Sequence, residues 1–563
     1  MDKIWLSSYP PGIAPQIDTQ AYSSIVEIFN HSVTHYADEP AFSNLGRTLT
    51  FAELDTLSRS FAAFAQNELG LVKGDRIAIM LPNLLQYPVV LFGALRAGLT
   101  VVNTNPLYTA RELEHQLRDS GASAIVVLEN FAHVLAECIA ATPVRHVVIT
   151  KMGDLLEFPK SMLVNLVVKY LKKMVPAYTL TGAIGFKDAL ERGAGAEFRP
   201  VAVSLSDLAF LQYTGGTTGV AKGAMLSHGN MVANVEQASS WISQWTSEGG
   251  DLIITALPLY HIFSLTANCL TFMKTGSHNY LITNPRDMPN FVKEIKSLGF
   301  TVITGVNTLF NGLLNTPGFE EVDFSKLNIT LGGGMAVQRA VAERWKQVTG
   351  CALIEAYGLT ETSPAACMNP MDLKDYNGYI GLPIPSTEMR LIDESGNEPA
   401  SGEPGELCIR GPQVMCGYWQ RPDATAEVLS EDGWLRTGDI ATMNPEGFFK
   451  IVDRKKDMIL VSGFNVYPNE IEDVLAGHPD VAEVGVIGVP DARCGEVVKL
   501  VVVKKNPALT EEILKAFCHD ELTGYKRPKH IQFVTELPKS NVGKILRREL
   551  REKYAGTDSP VSP

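Results

Sequence analysis

Between Tyr213 and Gly223 the chain reads Tyr-Thr-Gly-Gly-Thr-Thr-Gly-Val-Ala-Lys-Gly, directly after the apolar run 208–211. Glycines let backbone N–H groups come close to an anion, and Thr214, Thr217 and Thr218 add hydroxyl donors. Lys222 supplies a point charge suited to phosphate oxygens. The stretch has the chemistry of a loop that cradles a nucleoside triphosphate; the plainer alternative is a flexible surface loop. A Walker A loop requires a glycine immediately before its lysine and Ser or Thr after it. Ala221 and Gly223 stand there instead, which excludes a P-loop NTPase.

Four further stretches offer compatible chemistry. Tyr357-Gly-Leu-Thr-Glu361 places an aromatic face, a hydroxyl and a carboxylate within five residues. One carboxylate completed by phosphate oxygens suits Mg²⁺, which takes few protein ligands. Gly332, Gly333 and Gly334 follow a strand-like run at 328–331, where backbone can approach a base without Cβ interference. Asp439, in Trp434-Leu-Arg-Thr-Gly-Asp439, carries a carboxylate able to accept from both hydroxyls of a sugar. Lys544, in Pro538-Lys-Ser-Asn-Val-Gly-Lys-Ile-Leu-Arg547, offers a cation that can bring a carboxylate and a phosphate together and stabilise charge on five-coordinate phosphorus. Taken singly, each of these is more simply a turn, a helix start or a solvated charge. His261 lies among apolar residues at 257–265, where a satisfied core histidine is the plain reading.

The phosphate-like loop resembles that of the acyl-adenylate-forming enzymes, departing from it at Gly215, where the family has serine, and at Ala221, where it has proline. The other motifs follow in the order that this family requires. Within the family, 432–457 is most similar to the bacterial long-chain fatty acid–CoA ligases, and 208–230 and 257–264 share that likeness. The resemblance implies that Tyr213, Thr214, Gly215, Gly216, Thr217, Thr218, Gly219 and Lys222 serve the nucleotide phosphates. It implies that Gly332, Gly333, Gly334, Tyr357 and Gly358 flank adenine, that Asp439 holds ribose and that Arg454 contacts nucleotide. Thr360 and Glu361 are implied at phosphate and Mg²⁺, Lys544 as the catalytic lysine, Lys456 as the hinge and His261 at the carboxyl end of the acyl site. Leu265 stands near the place where long-chain relatives carry a tryptophan gate. The reaction implied is fatty acid plus ATP giving acyl-AMP and diphosphate, followed by attack of CoA to give acyl-CoA and AMP. Two alternatives stay open: a ligase for another acid (aromatic, medium-chain or carrier-loaded) and, more remotely, a non-catalytic lipid-binding protein.

The elements that must position these groups are legible in outline. A chain of 563 residues exceeds one compact core. Strand-like runs alternate with helical patterns over 75–103 and recur at 122–128, 144–150, 252–257 and 300–304, which argues for parallel α/β layers. Short runs with Gly/Pro turns over 379–452 have antiparallel texture and read as a small β-barrel. The expected organisation is a large α/β domain over 1–453, a hinge at 454–457, a small α+β domain over 458–555 and a tail at 556–563.

A net charge of −13 argues against nucleic acid as partner. The eight cysteines have no C-x-x-C spacing, which argues against structural zinc and suits a reducing compartment. With no apolar h-region at the start, the expected location is the cytoplasm. Residues 161–175 read as an interfacial helix, with Asn165, Lys169, Lys172 and Lys173 on one face; this implies contact with the inner face of the cell membrane, against the alternative of a helix packed on the protein's own core. A homodimer is left open.

Overall fold

The computed structural model describes residues 3–214, 221–462, 464–491, 493–540 and 543–556. Two large sheets build the N-terminal part. The nine-stranded sheet has a parallel centre made by Ile329–Gly332, Val302–Gly305, Leu252–Thr255 and His278–Leu281, with Leu353–Gly358 parallel beside Ile329–Gly332. The seven-stranded sheet is parallel through Arg76–Met80, Thr100–Asn103 and Leu208–Thr214, and closes with the antiparallel strand Lys222–Ser227. Runs such as Ala124–Leu128 are apolar and buried throughout, as parallel strands covered on both faces must be. Helices between them carry local start and stop signals. Ala110–Ser120 opens on a capping box between Thr109 and Glu112 and ends at Gly121 with φ +64°.

Strands ending in glycine or threonine set the position of the site. Val302–Gly305, Ile329–Gly332, Leu353–Gly358 and Leu208–Thr214 all run toward one crevice at their carboxyl ends, the usual place for ligands in open α/β sheets.

The antiparallel region is a four-stranded sheet in the order Glu388–Ile392, Gly405–Arg410, Leu435–Met443, Phe449–Arg454. The barrel expected over 379–452 is not closed by backbone pairing: the two outer strands do not pair with each other. Isolated bridges from Gly381 to Phe449 and from Leu429 to Leu435 fasten the sheet to neighbouring segments.

The small C-terminal domain is built on a sheet in the order Phe464–Val466, Ile459–Val461, Gly495–Lys504, Val481–Asp491, with His530–Val534 parallel to Gly495–Lys504. It has its own cores around Ile471, Val486 and Leu500 and around Val501 and Leu550.

The stretch read as one helix over 161–175 is an α-helix at Lys160–Leu166 continued by a wide π-type turn at Val167–Leu171. Its lysines look outward as expected: Lys169, Lys172 and Lys173 are exposed, and only Asn165 is partly buried. Asn165 accepts from the Gly153 N–H at 2.8 Å, and Lys169 pairs with Glu129 at 2.9 Å. The apolar residues are exposed too: Phe158 81%, Leu171 73% and Tyr170 67%. This overturns the alternative of a helix packed on the protein's own core. Among the described residues no helix is long and apolar enough to cross a membrane.

Candidate active site

One cavity of about 2360 Å³ opens between the sheet ends and the small domain. Thr214 and Lys222 line its wall, facing each other in register at the end of the strand pair. Gly215, Gly216, Thr217, Thr218 and Gly219 lie outside the described residues. Lys222 stands 5.2 Å over the ring of Tyr418, and the Tyr418 hydroxyl donates to Glu361 at 2.7 Å. A cation and a carboxylate are thus held at the same wall by one tyrosine. Burial, with Glu361 beside it, pushes the Tyr418 phenol up, so the phenol stays the donor. Nothing in the local sequence around Tyr418 marks it for this role.

Tyr213 lines the cavity, but its hydroxyl turns away and donates to Asp119 at 2.7 Å. Gly333 and Gly334 line the cavity; Gly332 ends the strand and packs below, where a Cβ would meet Leu353 at 2.7 Å and Val337 at 2.9 Å. A Cβ on Gly333 would meet the Ala356 carbonyl at 3.0 Å, and Gly334 has φ +76°. Both positions therefore favour glycine. Gly358 and Thr360 follow on the same wall.

Asp439 is 4% exposed and held from two sides. The Tyr357 hydroxyl donates to it at 2.6 Å, and the Arg454 Nε stands 3.3 Å away. Tyr357, expected beside a base through its ring, thus also fixes the carboxylate expected at ribose. Lys544 reaches the cavity from the small domain. Withdrawal from water and then the Arg454 charge lower its ammonium to about 7, while Asp439 opposes that shift. His261 shares the cavity; burial first and Lys544 second push it down to about 4, so the ring is neutral near pH 7. Its Nδ1 accepts from the Phe263 N–H at 3.4 Å, which leaves Nε2 as the donor.

Between the last strand of the antiparallel sheet and the small domain, carboxylates and arginines interlock. Arg547 pairs with Asp453 at 3.1 Å and with Glu472 at 2.6 Å, and Arg551 pairs with Asp457 at 2.6 Å. Lys456 lies in their midst and lines the cavity; burial, then Arg454, lowers its ammonium. Arg547 stands three residues after Lys544, yet its role depends on partners about 75 and 94 positions away. Two contacts dock the small domain directly on the sheet ends. The Thr308 hydroxyl donates to the Gly543 carbonyl at 3.1 Å, and Asp473 accepts from the Arg339 N–H at 3.3 Å.

The same cavity also has apolar lining: Ala238 and Ile242, four residues apart on the helix His228–Ile242, together with Val302, Ile329 and Met368, while Asn234 lines it one turn earlier. Eight residues of helix face span about 12 Å.

Among the described residues no three His, Cys, Asp or Glu side chains cluster as metal ligands. Glu361 alone fits a metal that takes most of its oxygens from phosphate and water: one of its oxygens accepts from Tyr418, which leaves the other for an ion.

The model of the AMP-binding enzyme matches residues 29–419, and that of the AMP-binding enzyme C-terminal domain matches 470–544. The chain belongs to the AMP-binding enzyme family. It is 59% identical over 556 residues to the long-chain-fatty-acid–CoA ligase of Escherichia coli O157:H7, covering 99% of each chain. It is 55% identical over 560 residues to the enzyme of the same name from Haemophilus influenzae, covering 98% of this chain and 99% of that one. Among solved structures, a benzoate CoA ligase from Burkholderia xenovorans LB400 superposes with a TM-score of 0.81 at 25% identity, over 94% of this chain and 100% of that one.

Proposed function

We infer that this family member is an ATP-dependent ligase that converts long-chain fatty acids to acyl-CoA through acyl-AMP, releasing AMP and diphosphate. The observation that carries the reading is one cavity that joins Lys544, the Tyr357–Asp439 pair, Lys222 and Glu361 to apolar lining at Ala238, Ile242 and Met368, which this reading takes as one arm. A carboxylate has no good leaving group; adenylation supplies one, and thiolate attack then expels AMP.

In this reading Asp439, fixed by Tyr357 and Arg454, accepts from the ribose hydroxyls. Lys222 and Thr214 meet the phosphates. Lys544 stands between the fatty carboxylate and the α-phosphate, two anions that repel each other, and offsets that repulsion at the transition state. Its lowered proton affinity belongs to the ligand-free cavity; bound polyanion restores the charged form. His261 is neutral, and its Nε2–H donates to the fatty carboxylate. Mg²⁺, bound with ATP, would be held by Glu361 and would neutralise phosphate charge. Lys456 is the pivot about which the small domain turns between the two half-reactions, within a hinge at 454–457 that separates a large domain over 1–453 from a small one over 458–555. Turning carries Lys544 out of the cavity and brings another face of the small domain to the thioester step.

The apolar arm takes the alkyl chain. Each buried methylene contributes about 0.8 kcal/mol, or roughly fourfold in kcat/KM, until the arm is full. Acid-dependent ATP–pyrophosphate exchange across saturated acids of increasing length tests this. A rise through the long-chain range is expected. A peak at aromatic or short acids would replace the fatty acid with another substrate.

The exposed apolar surface at 158–174 docks on a lipid bilayer, the phase into which long-chain acids partition. Phe158, Leu163, Tyr170 and Leu171 would enter the acyl boundary, with Lys172 at the headgroups. Leu163→Glu together with Leu171→Glu should abolish flotation with phosphatidylcholine–phosphatidylglycerol vesicles and leave turnover of a short soluble acid intact. Flotation that survives the double change would remove this surface from membrane contact.

A further inference from the structure

The backbone around Tyr418 is pinned to the wall that carries Lys222. Residues 416–419 run beside the strand Lys222–Ser227. The Cys416 N–H donates to the Met225 carbonyl at 2.9 Å, the Met225 N–H to the Gly417 carbonyl at 2.9 Å, and the Trp419 N–H to the Gly223 carbonyl at 2.8 Å. Tyr418 stands opposite Ala224 across this pairing. Lys222 lies two residues before Ala224, so the pleat puts it on the face that Tyr418 shares, at the diagonal place where long side chains meet. The Tyr418 N–H donates to the Thr425 hydroxyl at 2.9 Å, and the Trp419 indole N–H donates to the Asp119 carbonyl at 3.0 Å. The ring is thereby fixed from both flanks.

Two opposite charges rest on this ring and not on each other. Among the described residues no carboxylate stands within ion-pair distance of Lys222, whose ammonium lies over the ring face. The hydroxyl at the ring edge donates to Glu361, and the Glu361 main-chain carbonyl accepts from the Met415 N–H at 2.8 Å. The phenol, raised by burial and then by Glu361, stays a neutral donor.

We propose that Tyr418 is a positioning residue that keeps Lys222 and Glu361 from pairing before nucleotide binds, so that phosphate and Mg²⁺ meet them without first breaking an ion pair. This rests on the ligase reading of the site. Lys222 and Glu361 attract each other across one cavity wall, and a direct pair would satisfy both charges that the reaction needs free. The ring face gives the ammonium a weaker partner that phosphate can replace. The hydroxyl occupies one carboxylate oxygen with a neutral donor and leaves the other for a metal ion.

The test is calorimetric titration of ATP into the full chain across a range of Mg²⁺ concentrations, with no acid and no CoA present. Tyr418→Leu should weaken Mg²⁺-free ATP binding about tenfold, because the Lys222–Glu361 pair then forms and has to be broken. In a Glu361→Gln background the same change should cost less than about twofold, since a neutral amide gives Lys222 no charge to pair with. A tyrosine that only supports the fold would cost the same in both backgrounds. Tyr418→Phe keeps the ring and loses the hydroxyl. It should raise the Mg²⁺ concentration for half-maximal ATP binding about fivefold, the size of one hydrogen bond. Equal losses from Tyr418→Leu in the two backgrounds, or no loss in either, would overturn the proposal. Should that variant fail to fold, a Tyr418→Phe enzyme with an unaltered Mg²⁺ requirement would overturn it equally. A wild type that binds ATP but supports no acid-dependent pyrophosphate exchange would overturn the ligase reading alone, since the coupling is read from binding and not from turnover.

Discussion

The two walls of the cavity are held in place by different physics. The large-domain wall hangs on strand ends. Gly305, Gly332 and Gly358 finish strands bonded along their length, and the Gly333 N–H adds one more bond to the Gly305 carbonyl. Tyr357 and Tyr418, anchored in that frame, fix the carboxylates of Asp439 and Glu361. The opposite wall brings Lys544 on a loop of another domain. That domain is docked by polar contacts such as Thr308 to Gly543 and Arg339 to Asp473, and by the Arg547–Asp453 pair next to Lys456. A neutral contact such as Thr308 to Gly543 is worth about 1 kcal/mol net, so it can be exchanged for another without unfolding anything. One wall is fixed by strand pairing within the sheets; the other is joined to it by side-chain contacts between domains.

The sharpest break in that comparison is Lys544→Ala. Adenylation should fall about a thousandfold, the effect of removing one preorganised electrostatic group, while thioester formation from supplied acyl-AMP stays within a few fold. Measuring the two half-reactions separately decides it, and equal loss in both would end the assignment. The wild-type pH profile sharpens the same point. The lysine, lowered to about 7 in the free enzyme, is charged below that pH, so kcat/KM for adenylation should fall about tenfold per unit above it. Lys544→Arg should flatten the fall.

Lys456→Pro fixes φ near −65° at the proposed pivot. The thioester step should drop roughly a hundredfold, with adenylation affected less, because the strain falls on the rotated state. Rapid-quench measurement of both steps checks this, and normal rates in both would move the hinge elsewhere.

On the wall fixed by strands, Glu361→Gln retains shape but loses charge. The Mg²⁺ concentration for half-maximal activity should rise about tenfold, as expected for losing a charged ligand contact, with the melting temperature little changed. An unaltered magnesium titration would take Glu361 out of the metal shell.

Thr308→Val should have the smallest effect. Losing one neutral hydrogen bond to Gly543 costs about 1 kcal/mol, so adenylation should slow about fivefold and the thioester step should not. Equal slowing of both would mean that the contact supports the fold rather than one domain position.

The strands at Arg76–Met80 and Ala124–Leu128 are legible because buried parallel strands need continuous apolar runs. The phosphate-loop stretch, the Tyr357–Glu361 segment and the residues around Asp439 and Lys544 are legible for a similar reason: each puts its chemistry within a few adjacent residues. The antiparallel texture of 379–452 was readable too, but whether its outer strands close on each other was not, since closure depends on sheet twist and on what packs alongside.

The sequence by itself determined which groups could handle a nucleotide and an acid, and in what order along the chain, because loops and strand ends present those groups locally. Only the tertiary structure decided which of them meet. Tyr418 finds Glu361 across 57 positions, Tyr357 finds Asp439 across 82, and Arg547 finds Asp453 across 94. It also decided that Lys169, while exposed, pairs with Glu129 from a different helix, and that the apolar side chains of 158–174 stand in water beside it. Periodicity gives each helix its faces. What a face meets depends on partners distant in sequence, and local propensity does not encode them.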